Sequence, residues 1–73
     1  MNLNESLEFA RCNLGSAAML LCDATDELAR EPESEERWRA VEAALSDATY
    51  WRRQYARLGR LVAADGREHD AEV

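Results

Sequence analysis

The chain has no lysine and no isoleucine among its 73 residues, and only one proline, one histidine, two cysteines and three glycines. With a single histidine, His69, in the polar stretch "REHDAEV", the chain offers no general base beside an ordered partner. No Ser, Thr or Cys has a neighbouring base to activate it, and no catalytic residue is expected. Cys12 and Cys22 stand about 15 Å apart along one helix, too far for an internal disulfide. There is no second Cys or His pair at zinc spacing and no Glu-x-x-His pattern for a carboxylate-bridged metal. Metals and cofactors are therefore not expected. Long hydrophobic runs are missing too. The longest uncharged stretch, "CNLGSAAMLLC" at residues 12–22, is well short of the ~20 residues that span a bilayer. The start "MNLNESLEF" lacks a basic segment followed by an apolar one, so it reads as a cytosolic N-terminus and a cytoplasmic location is expected. The formal charge of −6 argues against a general binder of nucleic acid or anionic membrane.

What is present is alanine, thirteen residues of it, and arginine, which supplies all nine basic side chains. Amino acids with GC-rich codons abound and those with AT-rich codons are missing. That points to a GC-rich bacterial genome, or to a phage or mobile element living in one.

The hydrophobic pattern is helical. Leu7, Ala10, Leu14, Ala17, Leu21, Ala24 and Leu28 recur at alternating spacings of three and four, a heptad seam that alternates leucine with alanine. Asn2 or Asn4 can cap its start, with Glu5 and Glu8 favouring the helix dipole. Pro32 pushes Glu31 out of the helical region and ends it near Arg30. In "EPES", residues 31–34, either Pro32 is the first position of a new helix or Ser34 is its N-cap, with Glu33, Glu35 and Glu36 in the first turn. The second seam is Val41, Ala44, Ala48, Trp51, Tyr55, Leu58 and Val62, flanked by Trp38 and Leu45. The expected fold is all-α: a helix over about 4–30, a turn at 31–33, a helix over about 33–64, and a flexible polar tail at 65–73. These form one domain, an antiparallel two-helix hairpin some 40 Å long.

Residues 12–22 pose the next question. Leu14, Ala17 and Leu21 face the second helix. Phe9, Ser16 and Leu20 fall on one flank, and Cys12, Gly15, Met19 and Cys22 fall mostly on the other. One partner helix cannot cover a helix that is apolar or small nearly all round. Dimerisation into a four-helix bundle is the simplest solution, with Phe9, Cys12, Gly15, Ala18, Met19, Leu20 and Cys22 as the expected dimer interface. Gly15 to Ala18 would mark a close crossing, since a mid-helix glycine costs ~1 kcal/mol against alanine.

"YWRRQYARLGR", residues 50–60, interleaves four arginines with Tyr50, Trp51 and Tyr55. Single-stranded nucleic-acid grooves use this mixture, and protein hot spots are built from the same residues. The plainest expectation is that Trp51 and Tyr55 pack in the seam while the arginines pair with acids. A binding surface would use Tyr50, Arg52, Arg53, Gln54, Arg57 and Arg60. Residues 23–36 carry seven acids against Arg30 alone. The turn end of the hairpin is therefore acidic and its open end basic, and an antiparallel dimer would set one beside the other.

In layout the chain is similar to the plasmid-copy-control RNA-binding hairpins of the Rop type, also two-helix chains that dimerise. The similarity is of architecture, with no shared motif. The turn "EPES" differs from the Trp-x-Gly turn of the small secreted helical hairpins of actinobacteria. Small acidic helical proteins that phages make against host defence or regulatory proteins have the same general character. The leading expectation is a non-enzymatic homodimer that binds a bacterial host protein, as an inhibitor or modulator carried by a phage or mobile element. The alternative is a Rop-like nucleic-acid-binding regulator that uses the arginine-rich end.

Overall fold

Asn2 opens the first helix. Its side-chain oxygen accepts a hydrogen bond from the Glu5 backbone N–H at 2.8 Å, and its amide donates to the Glu5 carboxylate at 3.2 Å. This satisfies one of the N–H groups that a helix start leaves without a partner. The computed structural model describes residues 2–71, with the side chains of residues 2–66. Helix α1 runs over Leu3–Arg30. It contains no proline, one glycine and no β-branched residue besides Thr25. At its end the Glu31 N–H bonds the carbonyls of Glu27 and Leu28, at 3.3 and 3.0 Å. Glu31 then leaves helical geometry, with φ −137° and ψ 71°, as the following proline requires.

Ser34, rather than Pro32, starts the second helix. Its hydroxyl accepts from the Arg37 N–H at 3.3 Å, and its carbonyl accepts from the Trp38 N–H at 3.2 Å. Helix α2 runs over Glu35–Ala71. The Trp38 indole N–H donates to the Pro32 carbonyl at 3.0 Å and straps the turn to the new helix. Arg37 reaches back across the turn to Glu27 at 2.9 Å and Glu31 at 3.3 Å. The chain is thus all-helical among the described residues, two helices folded into a hairpin.

The seam faces inward as the spacing predicts. Ala10 and Ala17 are buried, and Leu7, Leu14, Leu21, Ala24 and Leu28 are half-buried against Val41, Ala44, Ala48, Trp51, Tyr55, Leu58 and Val62. Small residues dominate the centre, so the helices lie close and little apolar volume is enclosed.

Two expectations need correction. The second helix continues past Ala64 to Ala71, where a flexible polar tail from residue 65 was expected. No proline interrupts it, and a lone glycine such as Gly66 costs ~1 kcal/mol without stopping a helix. The hairpin is accordingly 60 Å long, with a cross-section of 15 by 14 Å, and longer than the spacing suggested. Ala63 to Gly66 are exposed, because α1 begins at Leu3 and has no residue left to face them. The side chain of His69, placed in the tail by the sequence reading, lies outside the described residues.

Candidate interaction surfaces

Beside the seam, Leu20 of α1 stands over a shallow groove of about 280 Å³ lined by Ala17, Ala24, Ala40, Ala43, Ala44 and Asp47. The groove exists because alanines on both helices leave the space a larger side chain would fill. Leu20 itself is 61% exposed. Farther toward the open end the Phe9 ring stands edge-on to Trp51, with centroids 5.7 Å apart. Tyr50 makes a second edge contact with Trp51 at 5.1 Å. Phe9, Leu20 and Tyr50 are all more than half exposed, so this flank is a wet apolar strip along the hairpin.

The other residues expected in a dimer interface lie elsewhere. Cys12, Gly15, Ala18, Met19 and Cys22 are all exposed. At 100° per residue they point away from the Leu20 groove or to the far side of the seam. A Cβ placed on Gly15 would meet nothing within 4 Å, so no close approach within the hairpin requires glycine there. Both cysteines are free thiols. Phe9 and Leu20 are therefore the two members of the expected set on the flank of the groove.

At the open end Trp51 and Tyr55 do pack in the seam, half-buried. The arginines do not find acids. Among the described residues Arg52, Arg53, Arg57 and Arg60 make no ion pair, and Arg57 donates only to the Gln54 side-chain oxygen, at 3.0 Å. On α1 at this end, Glu8 is engaged by Arg11 of its own helix, whose Nε donates to both carboxylate oxygens at 3.0 Å. That hydrogen bond holds the Glu8 carboxyl below its ordinary value and raises the Arg11 guanidinium. At the turn, hydrogen bonding and charge from Glu31, then Glu27, raise Arg37. Arg39 adds a looser pair with Glu35 at 3.8 Å. Even so, the seven acids of residues 23–36 exceed these arginines, and the turn end keeps its negative excess.

Sequence reasoning passed over the groove. A second stripe in α2, Ala40, Ala43, Asp47, Tyr50 and Gln54, repeats at three and four beside the seam and could have signalled it. Among the described residues no group of three or more His, Cys, Asp or Glu is arranged to hold a metal ion. Nor is any helix long and apolar enough to cross a membrane. The surface offers an apolar strip, an acid-rich turn and a band of four arginines without ion pairs among the described residues. Compared with protein-family models, curated proteins and solved structures, the chain matches none.

Proposed function

We propose that the chain is a non-enzymatic helical hairpin that acts by binding proteins. It pairs with a second copy into a four-helix bundle and presents its arginine-rich end to a target. The observation that carries this reading is the shortage of cover. Only two alanines are buried among the described residues, whereas Phe9, Met19, Leu20, Trp38, Leu45, Tyr50 and Leu61 are exposed. Each large apolar side chain left wet forgoes ~1.5–3 kcal/mol, in a chain whose own core supplies only ~3–5 kcal/mol. A second hairpin is the smallest unit that covers the strip of Phe9, Leu20 and Tyr50.

For the target, Arg52, Arg53, Arg57 and Arg60 with Tyr50 and Gln54 form a surface of the residue types that protein hot spots favour. A bacterial host protein, inhibited or modulated by a phage or mobile-element product, is the version supported by small size and by the all-arginine, alanine-rich composition. Nucleic acid is the second reading, favoured by the four arginines without acidic partners. Stacking needs free aromatic faces, however, and Trp51 is taken up by Phe9 and the seam. Of the three aromatics in residues 50–60, only Tyr50 is largely exposed.

Titrating labelled single-stranded RNA and duplex DNA at about 50 and about 200 mM salt separates the two, because phosphate contacts make binding fall steeply with salt. Steep salt-dependent binding moves the function to nucleic acid. Absence of binding, with a bacterial protein captured by the wild type and lost with Arg52→Glu/Arg53→Glu, supports the protein target.

A further inference from the structure

The two flanks of the hairpin are not equivalent. On one, the alanine groove runs beside Leu20, and Phe9 and Tyr50 stand on Trp51 farther along. On the other, Met19 and Gly15 project into open space. We infer that the second copy seats on the Leu20 flank, antiparallel, with α1 on α1 and α2 on α2. This rests on the self-pairing proposed above and specifies its face and orientation.

Shape, area and charge each support it. A two-fold interface must supply knob and hole from the same patch, and Leu20 beside the alanine groove supplies both. Ser16, on this flank and midway along Leu3–Arg30, is small enough to let the two α1 helices cross closely. A two-helix face as long as the 28 residues of α1, about 42 Å at 1.5 Å per residue, can contribute the roughly 800 Å² per partner of an ordinary stable interface.

Charge selects the orientation. A two-fold axis along the helices would bring both acidic turns together, against like-charge repulsion. An axis lying across the helices sets each acidic turn at the level of the other copy's arginine band, whose Arg57 edges this flank and has no ion pair of its own among the described residues. Glu27 of α1 and Arg57 of α2 both edge this flank, so opposite charges would line its rim.

The test is light scattering on four proteins at one concentration: wild type, Leu20→Glu, Ala43→Glu and Met19→Glu, each checked by circular dichroism. The expected masses are twice 8.3 kDa for wild type and Met19→Glu, and 8.3 kDa for Leu20→Glu and Ala43→Glu with the helical signal retained. Leu20 and Ala43 are exposed on different helices, so the hairpin tolerates either change and the pair together reads the face. A dimer that survives both of these but dissociates with Met19→Glu overturns the face and leaves self-pairing standing. A monomeric wild type overturns both. For orientation, Glu33→Cys in a Cys12→Ser/Cys22→Ser chain should stay uncrosslinked under mild oxidation. A fast disulfide there would bring the turns together and overturn the antiparallel arrangement.

Discussion

Phe9 of α1 and Trp51 of α2 meet edge to face, with ring planes at 78°. This contact joins the first third of one helix to the middle of the other and caps the alanine-lined part of the seam. Aromatic pairs of this kind contribute ~0.5–1.5 kcal/mol beyond their buried area. Because Phe9 is 53% exposed, Phe9→Ala should cost about 1–2 kcal/mol, less than the ~3–5 kcal/mol of a fully buried aromatic. Trp51, which also touches Tyr50 and packs in the seam, should cost more. Thermal melts of both variants check the order.

The seam was legible because period alone decides it: every leucine and alanine of the repeat in α1 came out buried or half-buried. The stop of α1 was legible from Pro32, whose effect is local, while its start was narrowed to Asn2 or Asn4, of which Asn2 is the cap. The far end of α2 was not, since alanines and polar residues continue a helix as readily as they leave one when no proline intervenes. Nor were the arginine partners. Pairing depends on which side chains share a face, and Glu8 pairs with Arg11 on its own helix. The alanine groove escaped notice because small residues read as filler in a sequence and become a cavity only when two helices set them side by side.

Ser34 is the sole side-chain cap of α2. Ser34→Ala should cost about 1 kcal/mol, as N-cap losses typically do, and lower the melting temperature by about 4–8 °C for a chain of this size. Ser34→Asp should restore it. An unchanged melt for Ser34→Ala would place the helix start elsewhere.

Gly15 distinguishes the two flanks in a second way. An added methyl meets open space, and glycine in a helix interior costs about 0.5–1 kcal/mol relative to alanine. Gly15→Ala should therefore stabilise the protein by about that amount without changing its mass in solution. Loss of the dimer on this substitution would put the close crossing at Gly15 instead of Ser16.

Glu8 sets a pH dependence of known sign. Its carboxyl titrates below the ordinary value of 4.5, chiefly because Arg11 hydrogen-bonds it. The contribution of the pair is fully present above that value and is lost as pH falls through the lowered folded value. Glu8→Gln should melt lower than wild type at pH 7, and the two curves should converge at acid pH. Carboxyl titration followed by NMR gives the direction directly.

Arg52 and Arg53 are exposed and, among the described residues, without an ion pair. Charge reversal at both should leave the helical signal largely intact while abolishing target capture. A double variant that no longer folds would make these arginines part of the scaffold, and Tyr50, Gln54 and Arg57 the next positions to change.

The central claim is that one hairpin is incomplete and a second copy completes it. The most direct measurement is the melting temperature of the wild type as a function of protein concentration, followed by circular dichroism. A second copy binds the folded hairpin and not the unfolded chain, so the melting temperature should rise steadily across a hundredfold increase in concentration. A melting temperature independent of concentration, with a mass of 8.3 kDa at tens of micromolar, would contradict the account.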